Sequence, residues 1–420
     1  MGHIRAEGGF FAGATGFLTR YAEVHTALHP LPSPHIESRT TPEGIGYRLL
    51  SSENELSDAK RILILFDPGF GGTPATYEPL LRKLMGKIEA GGGLNRGGEI
   101  YSPHIAIVHH LRDAWIARDD IGGVPDDSIT QRAIESLSVL EDYIAQSEER
   151  VADVVLAGHS LGGPTSIRLA SILNKNKVAL GLEDLKNISL LPYAPGGFRD
   201  DEHFPRAYVE LLHGIFVMTP RDVSDARREQ FGHLSRIGRI RAGLGQTILE
   251  RQQAIELLKY LGWDKSPHKI KRSLKEGWDM TGTDLLAEVA MLVSEGVSLP
   301  LIITQDDDGL FGTAEVIKTL SKPKSHYHGR KRDAAKALLP ALRAGSESDG
   351  WKSALLNSSA VGLLGWLSLR DRGERDPDTI SGIMALQDKV VGMPGGHSYG
   401  AFVPSGEDLF VGLLLEALNQ

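Results

Sequence analysis

Two segments of the chain fit the pattern G-x-S-x-G: Gly158-His159-Ser160-Leu161-Gly162 and Gly396-His397-Ser398-Tyr399-Gly400. A serine hydroxyl is a weak nucleophile near neutral pH, so an imidazole must take its proton during attack. A carboxylate must orient that imidazole, and backbone N–H groups must face the oxyanion that forms. The pattern has mechanical meaning only where a strand turns sharply into a helix, because strain there holds the hydroxyl out at the sheet edge. Ser160 has this setting. The apolar run Val151 to Ala157 precedes it, and Leu161-Gly162-Gly163-Pro164 leads into Thr165-Ser166-Ile167-Arg168-Leu169 behind it. Pro164 suits a first helical turn, where its missing N–H costs nothing. Ser398 is followed by Tyr399-Gly400-Ala401-Phe402-Val403-Pro404, which does not open a helix at once, and no histidine follows it. Ser160 is the candidate nucleophile.

The elements that must position it recur along the chain. Arg61 to Phe66, Ile105 to His109, Val151 to Ala157, Ile188 to Leu191, Leu299 to Thr304 and Lys389 to Gly392 are short apolar runs punctuated by Gly or Pro. Near-continuous runs of this kind fit strands covered on both faces. Helical patterns lie between them at Tyr77 to Glu89, Ile129 to Gln146 and Leu161 to Asn174, with a last one at Glu407 to Leu418. Strand and helix in alternation predict an α/β fold with a mostly parallel central sheet flanked by helices. Ile36 to Arg39 and Tyr47 to Ser51, either side of Pro42-Glu43-Gly44, predict a leading hairpin.

Strand, G-H-S-L-G-G turn and helix resemble the α/β-hydrolase superfamily. The upstream Phe66-Asp67-Pro68-Gly69-Phe70-Gly71-Gly72 resembles that family's oxyanion loop, with Pro68 where histidine is more usual. The resemblance implies oxyanion donors at the backbone amides of Phe70 and Leu161. Chain order in the family is serine, acid, histidine. After Leu299 to Thr304, the turn Gln305-Asp306-Asp307-Asp308-Gly309-Leu310-Phe311 resembles the family's acid turn. It implies Asp308 as the acid, with Asp307 and then Asp306 as alternatives. Of His326, His328 and His397, only His397 follows a short strand and precedes a C-terminal helix, and it is the expected base. Gly69, Gly71 and His159 are the expected substrate contacts around the serine. The resemblance covers most of Arg61 to Phe198 and Leu299 to Gln420.

Two stretches break the alternation. Phe198 to Gly296 has helical periodicity throughout, and Ser321 to Ser381 is a second helix-like block. The expected layout is an N-terminal part of the core over 1–197, a helical cap over 198–296 and a C-terminal part over 297–420 that carries the second insertion, 321–381. Trp278, in the cap, is a further expected substrate contact. The implied reaction is hydrolysis of a carboxylic ester or lactone, with a hydrophobic substrate. The same triad serves thioester or C–C bond hydrolysis or acyl transfer, and the scaffold without catalysis would be a binding protein. No cofactor and no metal are required.

Other polar groups have plainer readings. Adjacent His109 and His110 end a strand and point to opposite faces, so a solvated or pocket-lining role outweighs a metal site. Lys265 to Lys275 reads as a charged, solvated helix face. The 420 residues carry 46 Lys+Arg against 54 Asp+Glu, a net charge of −8 and a pI near 6.0. No basic stripe stands out, which argues against a nucleic-acid partner. Cysteine is absent, which excludes disulfides and a thiolate nucleophile. Ser353 to Leu369 is uncharged but broken by Asn357, Ser358, Ser359 and Ser368, so no integral membrane segment is expected. No signal peptide is evident, and a cytoplasmic location is expected.

Overall fold

A computed structural model describes residues 34–52, 59–69, 72–110, 116–118, 120, 125, 127–147, 150–194, 196, 267–281, 285–305, 390–393 and 404–419. Along these the elements are β1 (His35–Thr40), β2 (Gly46–Ser51), β3 (Lys60–Asp67), α1 (Pro74–Ala90), β4 (Leu94–Arg96), β5 (Glu99–His109) and α2 (Ser128–Gln146). There follow β6 (Asp153–His159), α3 (Gly162–Asn176), β7 (Asn187–Tyr193), α4 (Pro267–Thr281), α5 (Leu285–Ser294), β8 (Ile302–Gln305), β9 (Val390–Met393) and α6 (Pro404–Leu418).

The strands form one sheet in the order β1-β2-β5-β3-β6-β7-β8-β9, with β4 paired to β5 at one side. From β5 to β9 every neighbour along this order is parallel. β2 runs antiparallel to β5 and β1 antiparallel to β2, in register His35 to Ser51, so the leading hairpin is present. β4 and β5 form a second hairpin that the apolar pattern did not predict. Its two-residue turn is Gly97-Gly98, both with positive φ, the backbone that a tight primed turn needs.

Side chains alternate across the sheet and build a core on each face. Along β3, Leu63 and Leu65 pack with Val154, Leu156 and Leu190 against α2, α3 and α5. Ile62, Ile64 and Phe66 pack with Val155, Ala157 and Leu191 against α1 and α6. The predicted mostly parallel sheet between helices is therefore what the chain forms.

Two expectations about charged residues need correction. His109 is exposed while His110, on the opposite face, is buried among other polar groups rather than solvated. Within Lys265 to Lys275, Lys271 and Leu274 are exposed, but Arg272 is buried and ion-paired. Periodicity marks a polar face without saying whether a second polar face covers it. Here α4 lies antiparallel along α2. Arg272 pairs with Glu135, Glu276 with Arg132, and Asp279 accepts the amide and hydroxyl hydrogens of Ser128 at 2.6 and 2.7 Å. Spacings of four and three on α4 meet three and four on α2, so the partners line up turn by turn along both helices. α4 and α5 are helical, as expected of the 198–296 stretch; 197–266, the 321–381 insertion and the N-terminal 33 residues lie outside the described residues.

Candidate active site

Ser160 stands in the turn between β6 and α3, with φ at +54°. A non-glycine residue in this region costs roughly 1–3 kcal/mol and persists only where its surroundings hold it there. They do so through three backbone hydrogen bonds. Ser160 N–H donates to Tyr193 O at 2.9 Å, while Ser160 O accepts from the amides of Gly163 at 3.0 Å and Gly196 at 3.3 Å. The turn is thereby fastened to the end of β7, where Ala194 also has a positive φ.

The flanking glycines are required by contact. A Cβ on Gly158 would lie 2.1 Å from Gly162 O, and one on Gly162 would lie 2.0 Å from Asp67 O. Strand, helix and the end of β3 thus meet backbone to backbone. α3 begins immediately after Leu161. The first amides of a helix have no intrahelical partner, and the helix dipole places partial positive charge there, where a developing oxyanion is stabilised.

The loop after β3 lies against this turn. A Cβ on Gly69 would meet Ser160 Cβ at 3.1 Å and His159 O at 3.1 Å, so glycine is needed for the approach. The loop is closed by Gly72 N–H donating to Gly69 O at 3.0 Å. The peptide that opens it, between Pro68 and Gly69, is held at both ends. Pro68 O accepts from Arg132 Nη2 at 2.7 Å, and Gly69 N–H donates to Tyr77 Oη at 3.2 Å. Tyr77 Oη is 2.7 Å from His159 Nδ1. The Tyr77 ring is fully buried, and burial holds its hydroxyl protonated far above neutral pH. His159 itself stacks on Tyr193 at 4.7 Å. It is buried, so its described partners are Tyr77 and Tyr193 and it lies within the framework of the loop.

Beneath the loop is a buried polar cluster. Asp67, the last residue of β3, accepts from Ser136 Oγ at 2.6 Å and lies 3.0 Å from His110 Nε2. His110 Nδ1 lies 2.8 Å from Glu135 Oε2, and Glu135 Oε1 accepts from Gln131 at 3.0 Å and Arg272 at 2.9 Å. Burial drives the imidazole of His110 down to about 3, and the Arg132 charge acts in the same sense. Burial pushes the carboxyl of Glu135 up. A neutral imidazole has one N–H, and both ring nitrogens here face carboxyl oxygens. Burial thus favours the uncharged form of both His110 and Glu135, within a set that the Arg272 and Arg132 charges hold from the other side.

The structure brings Ser160, Leu161, His159 and Gly69 together. Trp278 lies on α4 with 61% of its surface exposed. Phe70, Gly71, Asp308 and His397 lie outside the described residues. β8 ends at Gln305 and β9 at Met393, each just before the segment expected to carry the acid or the base, and both strands are on the β7 side of Ser160. Tyr77, Arg132, Asp67, His110 and Glu135 were not foreseen in these roles. Their one sequence signal is Asp67-Pro68 closing an otherwise apolar strand. Among the described residues no group of three His, Asp or Glu side chains is placed to hold a metal ion, and no helix is long and apolar enough to cross a membrane.

No protein-family model matches the chain, and no curated protein does. Solved structures similar to it include an esterase from Pyrobaculum calidifontis, at 12% identity and TM-score 0.38, covering 97% of this chain and 92% of that one. A hydrolase from Pseudomonas aeruginosa gives 12% identity and TM-score 0.41, covering 92% and 99%. Carboxyl esterase 2 from Tuber melanosporum gives 10% and 0.40, covering 92% and 85%. Likenesses this distant add nothing to what the strand order and the strained serine turn already state. On those two features, an antiparallel pair leading a parallel sheet and Ser160 at the carboxyl end of β6, the chain has the α/β-hydrolase fold.

Proposed function

We propose that the protein is a serine hydrolase acting on a carboxylic ester or lactone. The observation that carries this reading is Ser160 itself, a buried serine held at positive φ against a glycine loop, at a helix N-terminus. Strain of this kind gathers at functional sites. Ser160 Oγ attacks the acyl carbon as His397 takes the hydroxyl proton, and the carbonyl π electrons move to the oxygen. The amides of Leu161 and Phe70 receive that oxyanion; loss of one such donor costs roughly 100- to 1000-fold in rate. Asp308 fixes the imidazole tautomer and stabilises the imidazolium. His397 then gives its proton to the leaving alkoxide, which departs as the alcohol. Water, deprotonated by the same imidazole, attacks the acyl-enzyme and frees the acid and Ser160. No metal or cofactor enters these steps. The 198–296 and 321–381 insertions would shape the pocket, Trp278 among their residues, for an apolar acyl or alcohol group.

A fluorophosphonate probe and p-nitrophenyl esters of graded acyl length test the reading. Wild type should label and hydrolyse, whereas Ser160→Ala and His397→Ala should do neither. Absence of labelling and of turnover in the wild type would end it. Loss of labelling in Ser398→Ala but not in Ser160→Ala would move the nucleophile.

A further inference from the structure

The contacts around Pro68 point beyond the triad. We propose that Arg132 is the positioning residue of the oxyanion loop, and that Glu276 on α4 holds Arg132 in that role, so that turnover depends on the seating of an insertion helix. This rests on Ser160 as nucleophile and on the loop after β3 as its oxyanion loop.

The guanidinium of Arg132 faces three elements at once. Nη2 donates to Pro68 O at 2.7 Å, the opening peptide of the loop. Nε donates to Thr165 Oγ1 at 3.3 Å, one turn into the helix that Ser160 starts. Nη1 lies 3.7 Å from Glu276 Oε1 on α4. The planar fork of arginine serves three directions that a single ammonium cannot. Arg132 is 1% exposed, so its bond to Pro68 O is charge-assisted and out of water's reach. A cation at that depth needs a counter-charge. Glu276, itself 2% exposed, supplies one, and its other described partner, Arg272, also comes from α4.

The other end of the same peptide is fixed by Tyr77, through Gly69 N–H. With carbonyl and amide both held, the peptide plane cannot rotate, and the next residue is Phe70, the expected donor. Arg132 and Tyr77 touch neither substrate nor the reacting atoms. Their effect is geometric, and displacement of a catalytic group by ~1 Å from a remote change costs on the order of 100-fold.

The test uses the full chain as Arg132→Lys, Arg132→Ala, Glu276→Gln and Tyr77→Phe. Each is assayed for kcat and KM on a p-nitrophenyl ester, with far-UV circular dichroism and thermal midpoint beside it. Arg132→Lys, Glu276→Gln and Tyr77→Phe should stay folded and lose about 10- to 100-fold in kcat, with KM within about threefold. Guanidinium chloride at millimolar concentration should restore part of the kcat of Arg132→Ala, which a merely structural role would not allow. Should the Arg132 variants fail to fold, Glu276→Gln and Tyr77→Phe decide. Folded variants with wild-type kcat, or losses that track the unfolded fraction without rescue, overturn the proposal alone. A wild type that neither labels at Ser160 nor turns over any ester overturns the underlying reading and this proposal with it.

Discussion

Replacing Glu135 with glutamine should change how stability depends on pH more than it changes stability itself. In the folded protein Glu135, its carboxyl raised by burial, is bonded to His110 through Oε2 and to Gln131 and Arg272 through Oε1. A glutamine amide reproduces that pattern: its NH₂ donates to His110 Nδ1 and its oxygen accepts from Gln131 and Arg272. The signs follow from linkage. Glu135 is raised above its ordinary 4.5, so the stability it contributes is fully present below pH 4.5 and is lost as pH climbs through the raised folded value. His110 is lowered from 6.5 to about 3, so its contribution runs the other way and is lost as pH falls from 6.5. Each limb has a slope of about 1.4 kcal/mol per pH unit. From pH 4.5 up to the raised folded value of Glu135 the two limbs oppose each other in the wild type, which flattens the profile there.

In Glu135→Gln only the histidine limb remains. Stability of the variant should therefore rise from pH 4.5 to 6.5, by about 2.7 kcal/mol across that window. The wild-type advantage should shrink as pH rises above 4.5. Urea unfolding of both proteins at half-unit steps from pH 4.5 to 8 reads this directly, and the difference between them cancels every other titrating group. Parallel profiles would refute a carboxyl of Glu135 raised by burial.

Other substitutions test the turn and the helix contact. Gly162→Ala puts a methyl 2.0 Å from Asp67 O, where real contacts begin near 3.0 Å, so β3 and α3 must separate by about 1 Å and kcat should fall on the order of 100-fold; ester turnover with circular dichroism checks it. Ser160→Gly removes the positive-φ strain that Ser160→Ala retains, and should unfold at higher urea than Ser160→Ala by roughly 1 kcal/mol or more, both variants being inactive. Asp127→Ala removes a side-chain cap from Thr130 N–H at 2.7 Å and should cost about 1 kcal/mol by urea unfolding.

Local signals carried the strands, the helices and the nucleophile, each of which depends on a few consecutive residues. Val154 to Ala157 reads as a covered strand because it is one, and the glycines at 158 and 162 read as an elbow because a Cβ at either would lie 2.1 or 2.0 Å from a backbone oxygen. Even the β4–β5 hairpin is written in Gly97-Gly98, a turn signal that lies outside the apolar runs. The framework under the loop was not legible in this way. Ser128, Arg132 and Glu135 present a polar stripe on α2, and a polar stripe ordinarily faces water.

What reverses that reading is a matching stripe on α4, with Arg272 lying 137 positions from Glu135 in the chain. Neither stripe alone says that it is buried. Only their complementary spacing does, and it appears once the two helices lie antiparallel. The same holds for Pro68, where the family resemblance leads one to look for histidine. The contact to its carbonyl comes instead from a helix 64 residues on, and the contact to the next amide from the first helix after the loop. A loop secured from two helices needs no brace of its own, which is why proline is tolerated there. It follows that the proline is a consequence of Arg132 and Tyr77: Pro68→His in the wild type should leave kcat nearly unchanged, and in Tyr77→Phe it should recover part of what was lost. If Pro68→His lowers wild-type kcat as far as Tyr77→Phe does, the loop depends on the proline itself and this account of it fails.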